Sequence, residues 1–188
     1  MSIDETEDLR SLAATVADES RRFLSTITEV GAGANPEATI PLLLLAVSDL
    51  LAAGARLGAI IDVVPPERFE PDAGPDADVD PLRSALANAL DGVDEYVVVD
   101  DPLLGDDLVT ATLSGDLCSV ASALSQGLSH HDSGQVIEAL WWWQFSYLSH
   151  WGERAASALR TLQVLLAHVR LDVPDDVAAE AEFDALHP

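Results

Sequence analysis

Trp143, Tyr147, His150 and Arg154 follow one another at intervals of four, three and four residues within "ALWWWQFSYLSHWGER", Ala139 to Arg154. On an α-helix that spacing lines up two aromatic rings, an imidazole and a guanidinium as one stripe. An imidazole changes charge near neutral pH and, beside a carboxylate, can act as a general acid or base. Aromatic rings and arginines are also the side chains enriched where proteins bind partners. Ligand pockets, likewise, join apolar walls to a few polar groups. The same stripe is equally what a flank packed on a neighbouring helix looks like, its polar tips reaching solvent or a carboxylate.

Four further residues stand as partners for this stripe. Arg56 lies near the end of a strongly apolar helix, and "VVPPERFEPD" follows it with Glu67, Arg68 and Glu70. Closing over the stripe, that loop would complete a binding surface. Alternatively it would supply Glu67 or Glu70 to orient His150 as acid or base, with Arg154 assisting. The chain has no phosphate-cradling glycine loop, nucleophile elbow or metalloprotease helix, which favours binding over catalysis. His130 and His131 are adjacent, so they point to different helix faces and make no two-histidine metal site. "DADVD" (Asp76 to Asp80) opens like a calcium loop, but Pro81 stands where glycine is required and Ala87 where the bidentate glutamate belongs. No metal or other cofactor is expected.

These side chains need a helix beneath them. Projecting residues 140–170 at 100° each gathers Leu140, Trp141, Gln144, Leu148, Trp151, Ala155, Leu159, Leu162, Leu166 and Val169 on one core face. Two of the four tryptophans, Trp141 and Trp151, then point inward. Gln144 on that face must find hydrogen-bond partners, so either a buried polar group meets it or a pocket opens there. Gly152 either kinks the helix or rides within one continuous rod.

Upstream, Leu9, Leu12, Val16, Phe23, Ile27 and Val30 fall at helical spacing, with Ser2 and Glu5 placed as a capping box. "GAGANPEA" (Gly31 to Ala38) breaks this helix. A second helix, from about Pro41 to Ala59, is apolar nearly all round and belongs at the centre. Asp49 and Arg56 share a face of it and are expected to be paired charges, or the polar wall of a cleft. The Pro- and acid-rich segment Asp62 to Pro81 is a long loop. Asp80 as N-cap and Pro81 start a helix to about Leu90. Glu95 to Leu113 makes either a small hairpin or an irregular loop. Helices follow over 114–131, 135–150 and on to about Leu171, with a turn at "HDSG". One glycine-to-alanine step looks like a helical repeat unit, but no second copy recurs at the required period.

Composition narrows the partners. Thirty-three acidic residues against nine arginines and no lysine give a formal charge of −24. Such a chain repels phosphate backbones and anionic membranes, so neither nucleic acid nor membrane is expected. No apolar run approaches the roughly 18 residues of a span, and the acidic N-terminus lacks a signal-peptide core. Both point to the cytoplasm. The acidity itself serves solubility, or attraction to a basic partner. Cys118 is the single cysteine. It permits neither an internal disulfide nor a cysteine zinc site, and its helical apolar setting suits a small buried hydrophobe.

"PLLLLAVSDLLAAGARLGA", "VVPPERFEPD" and "EALWWWQFSYLSHWGERAASALRTLQ" with "HVRL" resemble an actinobacterial family known as domain of unknown function 5063, from about Ser20 to Leu171. The resemblance implies an all-helical fold and no assigned activity, so no site residue is carried over from it. The expected architecture is an all-α irregular bundle of five to six helices. Residues 1–171 would form one domain, followed by an acidic tail over 172–188. The expected function is a cytoplasmic binding or adaptor domain offering an aromatic, histidine and arginine surface to a protein or a small ligand.

Overall fold

The structure, a computed structural model, describes residues 3–60, 62–65, 77–99 and 103–171. It is a helical bundle with one small hairpin. Helix α1 (Ile3–Gly31) turns through a 3-10 segment (Pro36–Ala38) into α2 (Thr39–Ala59). A short α3 (Asp80–Ala89) leads to strands β1 (Glu95–Val99) and β2 (Leu108–Thr112). Helices α4 (Leu113–Asp132), α5 (Val136–Ser146) and α6 (Gly152–Leu171) complete it. Ser2 of the expected capping box, most of the loop after α2 and the 172–188 tail lie outside the described residues.

Local chemistry sets the boundaries. Gly33 takes φ +68°, a left-handed conformation open to glycine, and its N–H bonds the Val30 carbonyl as α1 ends. Gly134, at φ +81°, closes α4 in the same way. Asp80 proves to be the first helical residue of α3 rather than its cap, with Pro81 in the opening turn. The ambiguous segment before α4 resolves as an antiparallel hairpin, Glu95 opposite Thr112 through Val99 opposite Leu108.

Helix α2 packs on both α1 and α6, and α4 on α5, α1, α3 and α6. Val16, Phe23 and Ile27 of α1 meet Leu43, Val47, Leu50 and Leu57 of α2 in the core. The segment Pro36–Ala59 is long and apolar enough to cross a membrane by length and composition. In this fold it packs against α1 and α6 on one side and leaves Leu42 and Leu45 exposed on the other. Asp49 and Arg56 are both exposed, and no ion pair joins them. They do not pair with each other because their face of α2 looks outward; Asp49 instead lines a groove against α1 with Glu19 and Arg22.

The tryptophan helix departs from a uniform coil. Between α5 and α6, Tyr147–Trp151 forms a π-helical turn, closed by the Gly152 N–H on the Tyr147 carbonyl. A β-carbon at Gly152 would sit 2.6 Å from that carbonyl oxygen, so glycine is what lets the turn close. One π-turn inserts an extra residue, which shifts everything beyond it by about 100° relative to a regular helix. The single projected face therefore does not hold. Leu148 and Val169 are exposed, whereas Trp143, assigned to the outer stripe, is as fully buried as Trp151.

Glycines make room for the rings. On α2, Gly54 and Gly58 are one turn apart, and Tyr147 lies over both. A β-carbon at Gly54 would come within 2.6 Å of Trp151 and 2.7 Å of Tyr147. The two rings meet edge to face with centroids 4.8 Å apart, a favoured aromatic geometry.

Candidate functional site

The described residue that most needs explaining is Asp116. It lies in the first turns of α4 and is only 4% exposed, a carboxylate placed on the helix's buried side. A buried charge must be paired. Three elements meet to do so. Arg154 of α6 donates from Nη1 to Asp116 Oδ1 at 2.8 Å, and Tyr96 of β1 donates its hydroxyl to Oδ2.

The hairpin is fixed to α4 by its own caps. Thr112 Oγ1 accepts from the Gly115 N–H, and Asp94 accepts from both the N–H and the hydroxyl of Ser114. The Leu113 N–H also bonds the Asp94 carbonyl. These bonds satisfy N–H groups that a helix start leaves open, and they hold β1 where Tyr96 can reach Asp116.

Around this triad the hairpin, α3, α4 and α6 enclose a groove of about 440 Å3. Val98, Val109 and Ala111 form its apolar wall, while Arg83 and Glu153 open into it from α3 and α6. The volume lies in the range of small-molecule sites. Arg83 is also paired with Asp80 at 3.0 Å, and the Ser157 hydroxyl donates to Glu153.

Burial chiefly, then the hydrogen bond and charge of Asp116, with Glu153 adding, push the Tyr96 phenol well above its usual range; Arg154 acts the other way. The fold thus keeps a proton that the unfolded chain releases above about pH 10. Stability from Tyr96 is complete below that pH and declines above it, by up to about 1.4 kcal/mol per pH unit. Burial raises the Cys118 thiol as well, so a separate decline starts near pH 8.5. Tyr96→Phe is expected to abolish the steeper loss above about pH 10 and leave the thiol's contribution, as read from urea midpoints across that range. An unchanged slope in the phenylalanine protein would refute the assignment.

The residues singled out from sequence do not share one surface. Trp143 is fully buried, its Nε1 donating to the Leu124 carbonyl. Tyr147 is half-buried against α2. His150 is exposed and lines a second groove with Trp142, Phe145 and Ser149, where no hydrogen bond or ion pair reaches it among the described residues. Arg154 faces the first groove, and Arg83 borders both. Arg56 is exposed on α2, and Glu67, Arg68 and Glu70 lie outside the described residues. The stripe divides because the π-turn falls between Trp143 and Arg154.

Gln144 answers the question its burial raised. Its partners are backbone groups, the Leu57 carbonyl and the Val63 N–H. Tyr96 and Asp116 are the functional candidates that sequence reasoning missed. Asp116 carried a signal, since it stands three residues after Leu113 and four before Val120, on the apolar side of α4. Among the described residues no group of three or more histidines, cysteines or carboxylates could hold a metal ion.

No curated protein matches the chain. Its fold is similar to the crystal structure of protein BF1032 from Bacteroides fragilis, with a TM-score of 0.65 over 86% of this chain and 94% of that one at 13% identity. At that identity the likeness speaks to the fold. Residues 7–168, from the second turn of α1 to the last turn of α6, match one family, and the chain belongs to it: domain of unknown function 5063.

Proposed function

We propose that this protein is a non-catalytic binding domain whose ligand is a small polar molecule held in the groove beneath the hairpin. One observation carries the reading: Asp116, nearly inaccessible, is held by Arg154 and Tyr96 at the floor of a groove of about 440 Å3. Such an arrangement fixes the orientation of the Arg154 guanidinium. Its remaining donors are thereby set in place before a ligand arrives, which lowers the ordering cost of binding. His150 is exposed and has no carboxylate partner among the described residues, so it lends no matching support to acid–base catalysis.

The acidic surface and the use of arginine alone as the basic residue suit a cytoplasmic protein of a high-GC, actinobacteria-like organism. The reading is tested by thermal denaturation against a library of small polar metabolites. A ligand at about a hundred times its Kd adds about 2.7 kcal/mol, or roughly 5–10 °C for a domain of this size. Arg154→Gln is expected to lose that increment relative to its own unliganded Tm, while Arg56→Gln on the far helix keeps it. Equal responses in both variants, or no responding ligand, would overturn the proposal.

A further inference from the structure

The groove's charges define a ligand class, an inference that rests on the binding role just proposed. Arg83 and Arg154 contribute two positive charges to its walls, and Asp116 and Glu153 two negative ones. The groove is formally neutral, yet its charges are separated. It sits in a chain of net charge −24, whose field opposes the approach of anions. A dianion such as phosphate would meet that field and both carboxylates, and a simple cation would meet both arginines. A molecule with no net charge but with both signs present meets neither penalty.

The hydrogen-bond inventory places each end. Both oxygens of Asp116 are engaged, by Arg154 and by Tyr96. Glu153 is exposed and, among the described residues, carries a single donor, Ser157. It is the acceptor left for a ligand ammonium. Arg154 spends Nη1 on Asp116, and its side chain is 40% exposed. Arg83, 47% exposed, is tied among the described residues to the outlying Asp80. A guanidinium has five N–H donors in a fork that fits a carboxylate, so both arginines retain donors for one. Val98, Val109 and Ala111 leave an apolar wall for a short aliphatic part. We infer that the groove binds a small zwitterion bearing an ammonium and a carboxylate on an aliphatic frame, the pattern of a free α-amino acid. Glu153 takes its ammonium, and Arg83 with Arg154 its carboxylate.

Calorimetric titration at low salt tests this with L-valine and L-leucine, their N-acetyl forms, their amides, and inorganic phosphate. The free amino acids are expected to bind, and blocking either end to weaken binding at least tenfold. Glu153→Gln should erase the preference for a free over an acetylated amine. Arg83→Gln should erase the preference for the acid over the amide. Both residues are exposed on helix surfaces, so neither change threatens folding. If an acetylated form, an amide or phosphate binds the native protein as well as the free amino acid, the zwitterion inference fails while the groove survives as a site. Binding by none of these probes also overturns the inference, and the groove itself is then judged separately by the wider metabolite library.

Discussion

Trp143→Ala is expected to cost about 3–5 kcal/mol, in line with other removals of large aromatic rings from a core. The ring is fully buried at the junction of α4 and α5, and its Nε1 donates to the Leu124 carbonyl at 3.3 Å. Its seat is Gly127 of α4, where a β-carbon would come within 2.0 Å of Nε1 and 2.4 Å of Cδ1. Two effects then compete at Gly127→Ala. Helix propensity favours alanine by about 1 kcal/mol. The overlap disfavours it, and at 2.0 Å against a rigid buried ring it wins, with overpacking costing about 1–3 kcal/mol or more. The pair should therefore be non-additive: in the Trp143→Ala background the clash is gone, and alanine at 127 turns neutral or favourable. Urea denaturation followed by circular dichroism measures all three variants without relying on the lost fluorophore. A Trp143→Ala protein as stable as the parent would show that the ring is not a core element.

The same seat explains what the sequence could and could not disclose. The heptad-like spacing of Val16, Phe23, Ile27 and Val30 is a long, regular pattern, and α1 buries those positions. Helix α2, apolar nearly all round, is expected at the centre on that ground, but it buries one side against α1 and α6 and leaves Leu42 and Leu45 exposed on the other, while α4 packs on four helices. Helix α5 is different. It has only eleven residues, eight of them apolar, so periodicity gives its inward direction little definition. Trp141, expected inward, is partly buried and stacks on the exposed Phe145 at 5.6 Å, while Trp143 goes to the core. The better signals were glycines elsewhere: Gly127, and Gly54 with Gly58 one turn on, each vacating the space a ring fills. A glycine inside an apolar helix costs stability on its own, which is a reason to look for a close approach.

The site was legible in fragments. Arg154 stood out by type, but its partner Asp116 lies 38 residues away and belongs to another helix. Tyr96 falls in the segment that could have been either hairpin or loop, and only the hairpin brings it to Asp116. Long-range pairing of this kind leaves no local periodicity to detect. What remains visible is the apolar side of α4 interrupted by a carboxylate, a local conflict that requires a partner somewhere in the fold.

Gln144→Leu is expected to be strongly destabilising, although the two side chains are close in size. Gln144 is 4% exposed and bridges two backbone groups. Its Nε2 donates to the Leu57 carbonyl at 3.0 Å, and its Oε1 accepts from the Val63 N–H at 2.7 Å. Leu57 lies in the last turn of α2, where carbonyls lack helical partners, and Val63 is the buried anchor of the chain leaving that helix. Leucine fills the space but satisfies neither group. Each unsatisfied group costs about 1–3 kcal/mol, so the total comes to about 2–6 kcal/mol. The apolar gain of leucine offsets only part of it, since the amide was already shielded and paired. Gln144→Glu should do no better: it keeps an acceptor for Val63 but turns a carboxylate towards the Leu57 carbonyl. Hydrogen exchange separates this local effect from general weakening. In the leucine protein the Val63 amide should lose protection well beyond the global loss of stability, because its acceptor is gone, while the Leu50 amide in mid-α2 tracks the global value. Unchanged Val63 protection together with a native melting temperature would show that the bridge between α5 and the end of α2 contributes nothing.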